Sequence, residues 1–163
     1  MKRLYLMRHS EAIDADANIT DPQRKLTPKG IADTQKVVQF LLSQKITFDH
    51  IIHSQAMRSV ETSKIIATGV NTDAGKIHGD IKLYLKDAAS FFDILFELDD
   101  SLSNVAIVGH NPHITVFVNY FLEEKIHSMA TSTMVCVEIN TDSWSDINLA
   151  DYHKIFMITP QTL

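Results

Sequence analysis

The sequence has one cysteine, Cys136, and only five glycines and four prolines in 163 residues. A lone thiol can form neither an intramolecular disulfide nor a thiolate metal cluster, and such a chain suits a reducing compartment. Glycine and proline are too sparse to form a linker, and there is no low-complexity tract or internal repeat. One domain over residues 1–163 is therefore expected, within the ~100–200 residues typical of a domain. No apolar run approaches the ~18 residues of a membrane span. The start, Met1 to His9, has an apolar stretch of only Leu4 to Met7, well short of the ~7–15 residues at the centre of a secretory signal. Basic charge is not in excess: 15 Lys and Arg face 20 Asp and Glu, for a net charge of −5. This argues against a general nucleic-acid or anionic-membrane partner. The expectation is a soluble cytoplasmic protein.

What is present is an ordinary globular composition, 45% hydrophobic. A chain of this size can bury roughly 68–70% of its unfolded surface and needs no disulfide or metal to hold a core. Short apolar runs read as strands at Leu4–Met7, His50–His53 and Val105–Val108, with a weaker one over Lys76–Leu85 and two closing strands at Thr133–Ile139 and Tyr152–Ile158. Between them lie helical patterns. Thr27-Pro28 supplies an N-cap and a first-turn proline, followed by a stripe of Ile31, Thr34, Val38, Leu41 and Leu42. A second helix runs from Ala56 or Met57 to about Thr68 and ends at Gly69. A third covers Ala89–Leu98, and a fourth carries Ile114–Leu122, with Asn111 as N-cap and Pro112 at its first position. Strands alternating with helices predict an α/β fold, a three-layer α/β/α sandwich around a mainly parallel sheet of about six strands. The two consecutive closing strands predict an antiparallel edge. Ser10–Lys25 is polar, aperiodic and long for a loop, a property often tied to function.

Ligands of open α/β sheets bind beyond the carboxyl ends of the strands. Arg8-His9-Ser10 follow the first strand, His53-Ser54 and then Arg58 the second, and Gly109-His110-Asn111-Pro112 the fourth. Two histidines and two arginines thus converge on one sheet edge. Arginine presents a planar fork of donors that never deprotonates, suited to a tetrahedral anion. A histidine beside it can act as a nucleophile through one ring nitrogen. Neighbouring cations keep that ring neutral, and an acceptor on its other nitrogen fixes the tautomer.

Four segments carry a resemblance to a known family. Leu4-Tyr5-Leu6-Met7-Arg8-His9-Ser10 resembles the Arg-His-Gly motif that opens the histidine phosphatase superfamily, the phosphoglycerate mutase-like proteins. Asp21 to Gly30 is similar to its Arg-x-Leu-Thr-x-x-Gly segment, Ser54 to Thr62 to its Ser-x-x-x-Arg-x-x-x-Thr element, and Val108 to Pro112 to its Gly-His-Asn-Pro element. The short length most resembles the SixA-type phosphohistidine phosphatases. The resemblance implies a phosphoglycerate mutase-like fold and His9 as a nucleophile that becomes phosphorylated. It implies that Arg8, Arg58 and His110 complete a catalytic and phosphate-binding set. No metal or organic cofactor is implied. The partner would be a phosphorylated protein, such as a phosphohistidine-carrying phosphotransfer domain, or a small phosphomonoester.

Two departures matter. Ser10 replaces the motif's glycine, which would add a hydroxyl beside the phosphate. Many relatives place a Glu or Asp after the third strand to protonate the leaving oxygen; here Tyr84 stands near that position and Asp87 is out of register. A phosphohistidine leaves as imidazole and needs such an acid less than an alkoxide does. Arg24 either lines the pocket or is an exposed loop cation, and Ser54 either caps a helix or reaches the pocket. Tyr84 reads as packing and His113 as surface or supporting residue. His110-x-x-His113 is a poor zinc pair because the arginines would repel a cation. Phe91, Phe92, Phe96 and Phe117 read as core, and Cys136 as buried and inert. The rival functions are a small-molecule phosphomonoesterase and a phosphate-recognition module without turnover.

Overall fold

The computed structural model describes residues 1–85 and 87–163. Six strands, β1 (Lys2–Arg8), β2 (His50–His53), β3 (Ile77–Gly79), β4 (Asn104–Gly109), β5 (Met134–Ile139) and β6 (Tyr152–Ile158), form one sheet in the order β3-β2-β4-β1-β5-β6. The β1–β4, β2–β4 and β2–β3 pairs are parallel, and β1–β5 and β5–β6 antiparallel. The helices are α1 (Pro28–Ser43), α2 (Met57–Gly69), α3 (Lys82–Leu85), α4 (Ala89–Phe96) and α5 (His113–Tyr120).

Successive side chains of a strand point to opposite faces, and β1 fills both. Leu4 and Leu6 pack with Phe91, Leu95, Phe117 and Trp144 on the α4–α5 side. Tyr5 and Met7 pack with Val37, Leu41 and Ile66 on the α1–α2 side. Burial on both faces is why the central strands read as unbroken apolar runs. Cys136 is buried on β5 in the second of these cores.

Several details differ from the sequence pattern. Residues 76–85 do not form one strand: β3 stops at Gly79, and the Asp80 carboxylate accepts from the Lys82 N–H at 2.8 Å, starting a helical turn. On α1, Ile31 and Leu42 are 40% and 45% exposed, and the buried stripe is Gly30, Asp33, Thr34, Val37, Val38 and Leu41. The stripe is centred where the helix meets α2. A Cβ on Gly69 would come within 2.3 Å of Val38 Cγ1, so this glycine allows close helix contact as well as ending α2. The helix after β4 begins at His113 rather than Pro112. The Asn111 side chain instead donates to Ser128 Oγ and the Met129 carbonyl and accepts from Thr115 Oγ1. Phe96 is 40% exposed, leaving Phe91 and Phe117 as the buried members of its group.

The loop between β1 and α1 is tied back to the body. Ala12 bridges Leu26, Ile13 N–H donates to the Lys25 carbonyl at 2.9 Å, and Leu26 N–H donates to Glu61 Oε2 at 2.7 Å. At its end Thr27 caps α1 by accepting from Gly30 N–H at 3.0 Å, as its sequence predicts. Gly30 is needed because a Cβ there would sit 2.1 Å from the Glu11 carbonyl oxygen. A backbone clash of this kind cannot be relieved by a rotamer change. Gly30→Ala is expected to lower unfolding stability by about 1–3 kcal/mol, the usual cost of overpacking. Urea denaturation measures this, and an unchanged midpoint would contradict the packing described.

Candidate active site

The parallel pairings bring three strand ends level. Arg8 pairs with Gly109 and His53 with Val108. The His9 N–H donates to the Gly109 carbonyl at 3.1 Å and the Ser54 N–H to the Val108 carbonyl at 3.1 Å. His9 and His110 therefore emerge side by side, with ring centroids 4.9 Å apart. The motif spacing of α2 then becomes intelligible. Residues four apart on a helix share a face, as Arg58 and Thr62 do on α2, and with Ser54 in the turn before it each serves one element of the site. Ser54 Oγ lies 2.6 Å from His110 Nε2, Arg58 Nε donates to His9 Nε2 at 3.2 Å, and Thr62 Oγ1 accepts from Ser10 N–H at 3.1 Å. Ser54 Oγ also accepts from Ala56 N–H at 3.3 Å, but the N-cap of α2 is Ala56 and has no side-chain cap, so of the two roles considered for Ser54 the structure shows the contact with His110 and not the helix cap.

His9 Nδ1 lies 2.8 Å from the Ser10 carbonyl oxygen. A carbonyl only accepts, so Nδ1 carries the proton and Nε2 the lone pair. Burial pushes the His9 pKa down to about 4; the Ser10 carbonyl bond opposes this, while Arg58, Arg8 and Arg24 reinforce it. Burial, together with His9 and Arg58, takes His110 down to about 3. Both rings are neutral above these values. Burial and the neighbouring Arg58 also lower the Arg8 pKa.

These groups line an open cavity of about 510 Å³ with Asp21, Arg24, Tyr84, Asn111 and His113. Arg8 Nη1 donates to the Met129 carbonyl at 2.7 Å. Arg8 Nε and His110 Nδ1 are buried with no hydrogen-bond partner among the described residues. The site thus combines cations with a neutral histidine of fixed tautomer, a set suited to holding and receiving a phosphoryl group.

The structure brings together Arg8, His9, Arg58 and His110, the four residues the sequence singles out most strongly. Arg24 is at the cavity, where Nε donates to the Ile13 carbonyl at 2.6 Å and Nη1 to Asp21 Oδ1 at 3.1 Å. Ser10 is not at the cavity wall. Thr34 Oγ1 donates to the Gly30 carbonyl at 2.7 Å, so Ser10 Oγ, 2.6 Å away, must donate to Thr34, and Ser132 Oγ donates to Ser10 at 2.7 Å. The only hydroxyl hydrogen of Ser10 is therefore committed inside the protein. Tyr84 is more than packing: it lines the cavity and its hydroxyl donates to Asp21 Oδ2 at 2.8 Å. Asp87 is exposed and accepts from Ala89 N–H at 3.0 Å. His113 forms part of the cavity wall.

Sequence reasoning passed over Asp21. It is the one carboxylate among the described residues lining the cavity, and Arg58 Nη1 donates to its backbone carbonyl and Nη2 to its Oδ2, at 2.8 and 3.1 Å. Its position three residues before Arg24, after a long aperiodic loop, was the available signal.

Residues 4–79 match the model of the histidine phosphatase superfamily (branch 1). The likeness to that superfamily in sequence thus spans β1 to β3, just under half of the chain. No curated protein matches the sequence. Solved structures similar to it include the protein histidine phosphatase SixA complexed with tungstate. That structure is 18% identical with a TM-score of 0.82, over 98% of this chain and 97% of that one. Another is a candidate phosphohistidine phosphatase SixA from Agrobacterium tumefaciens, 19% identical with a TM-score of 0.83, over 98% of both chains. A mycobacterial glucosyl-3-phosphoglycerate phosphatase with inorganic phosphate is also similar, at 12% identity and a TM-score of 0.70 over 100% of both chains. At these identities the likeness is one of fold.

The ring environments make one expectation direct. In an NMR titration of the free protein, His9 and His110 should remain neutral at pH 5, with His9 protonated on Nδ1 alone. A His9 titration near the ordinary pKa of ~6.5 would refute the assigned electrostatics.

Proposed function

We propose that the protein is a protein phosphohistidine phosphatase acting through phospho-His9. The observation that carries this reading is the His9 ring: neutral, locked by the Ser10 carbonyl, and presenting Nε2 to an open cavity beside Arg58. In the first step the Arg58 Nε–H bond to Nε2 gives way, the freed lone pair attacks phosphorus in line, and the substrate's leaving group departs. Arg8, Arg58 and His110 would balance charge on the equatorial oxygens. In the second step water attacks phosphorus, the P–N bond to His9 breaks, and phosphate is released.

Two features support phosphohistidine over an alkyl phosphate. Tyr84 occupies the region where a carboxylic acid would be sought, and burial and Asp21 raise its pKa, making it a poorer acid than an ordinary phenol. An alkoxide leaving group needs a proton from the enzyme, whereas imidazole leaves as a neutral molecule. The cavity is also open, so a phosphorylated side chain presented by another protein could reach His9.

A turnover screen over phosphohistidine peptide, phosphotyrosine, sugar phosphates and a chromogenic aryl phosphate tests the substrate class. Highest kcat/KM on the phosphohistidine peptide is expected; faster turnover of a sugar or alkyl phosphate would favour the phosphomonoesterase reading. His9→Ala should abolish turnover, and mass spectrometry without acid should find phosphate on His9 of the native protein. Retained activity in His9→Ala would exclude the covalent route, while binding without any turnover by the native protein would indicate a recognition module. Arg58→Ala is expected to cost on the order of 10²–10³ in rate, as for removal of one preorganised donor to a transition-state oxyanion.

A further inference from the structure

Asp21 is placed unusually for a loop carboxylate. Its side chain is 46% exposed at the cavity, yet it is held from three sides: by Arg58 Nη2 at 3.1 Å, Arg24 Nη1 at 3.1 Å and the Tyr84 hydroxyl at 2.8 Å. The Nε and Nη2 atoms of a guanidinium lie on the same edge. His9 Nε2 and Asp21 Oδ2 therefore sit next to each other along one edge of Arg58. Partial burial works to raise the Asp21 pKa, but the bonds from Tyr84, Arg24 and Arg58 outweigh it and bring it to about 2. An ionised carboxylate cannot protonate a leaving group at neutral pH. It can accept a hydrogen bond, and two oxygens with about four lone-pair sites are not exhausted by three donors.

We propose that Asp21 is a specificity-determining residue that accepts the distal ring N–H of a substrate phosphohistidine and so selects phosphoramidates whose leaving group already carries its proton. This rests on the phosphohistidine reading of the preceding subsection. The bound substrate ring is phosphorylated on one nitrogen and protonated on the other, and carries a positive charge that the carboxylate stabilises. His9 Nε2 uses its lone pair to form a new N–P bond. The old P–N bond breaks, its electron pair returns to the substrate ring, and that ring leaves as neutral imidazole with its N–H still in place. His9 becomes the phosphorylated, positively charged ring, its Nδ1–H still on the Ser10 carbonyl. The two rings exchange PO₃²⁻ and positive charge, and no proton changes owner. Water then adds its oxygen to phosphorus, one of its protons passes to a phosphoryl oxygen, and neutral His9 and H₂PO₄⁻ result. The two rings are held alike at the first transfer, one by Ser10 and the other by Asp21. A carboxylic acid has no task in this scheme.

The test compares kcat/KM of the native protein, Asp21→Asn and Asp21→Ser on two substrates, a phosphohistidine peptide and p-nitrophenyl phosphate. The aryl leaving group has no N–H for Asp21 to accept. Both variants should therefore lose about tenfold or more on the peptide beyond any loss on the aryl phosphate, the scale of one charge-assisted hydrogen bond. Asp21→Asn keeps the shape and one acceptor oxygen in a surface turn, and Asp21→Ser removes the charge by a different route. Equal losses on both substrates would overturn the proposal and leave Asp21 as a residue that only orients Arg58. If the native protein hydrolyses p-nitrophenyl phosphate but not the peptide, the phosphohistidine reading itself fails, and this proposal with it.

Discussion

Arg58 donates from Nε to Nε2 of His9 at 3.2 Å, a contact that exists only while His9 is neutral. Protonation of Nε2 would set two donors against each other, with one positive charge beside another. The rest of the site is arranged around that requirement. Burial removes the water that would stabilise an imidazolium, the guanidiniums disfavour it, and the Ser10 carbonyl claims the one proton that the neutral ring keeps. The structural cost falls on α2, which must bury an arginine. It does so by binding both free ends of the guanidinium to Asp21, through the backbone carbonyl and the carboxylate. An ion pair in this setting orients a buried charge more than it adds to global stability.

The division of labour in the fold follows from this arrangement. The strands supply the histidines because parallel register brings their ends level, Arg8 against Gly109 and His53 against Val108. The α2 face supplies Arg58 to His9 and Thr62 to the Ser10 backbone, and the turn before it supplies Ser54 to His110. The β1–α1 loop supplies the outer rim, with Asp21 and Arg24. In the chain's net charge of −5, three arginines and one aspartate gathered at a single cavity form a local field of opposite sign. That field favours a presented phosphoryl group without making the whole surface attractive to polyanions.

How much of this could be read from the sequence depended on whether the cause was local. Strands β2 and β6 end where their apolar runs end, and Thr27-Pro28 starts a helix because a cap and a first-turn proline act within one turn. Arg8, His9, Arg58 and His110 were legible because they follow strands directly or lie one helical turn beyond a strand end. Asp21 was not, since Glu11, Asp14, Asp16 and Asp21 look alike in a polar loop and only the return of that loop over α2 distinguishes one of them. Tyr84 was misread for the same reason: its partner is 63 residues away. Ser10 was placed by its neighbour in sequence, whereas its side chain turns from the cavity to the hydroxyls of Thr34 and Ser132.

Ser132, Ser10 and Thr34 pass hydrogens in one direction, ending on the Gly30 carbonyl. The relay joins the turn before β5, the loop bearing His9 and the first turns of α1. Every member is a hydroxyl or a carbonyl, so none changes charge across the range in which histidines and carboxylates titrate. The backbone beneath His9 is thus anchored by bonds that carry no memory of acidity. Protons can come and go at the site above while its foundation keeps the same set of donors and acceptors.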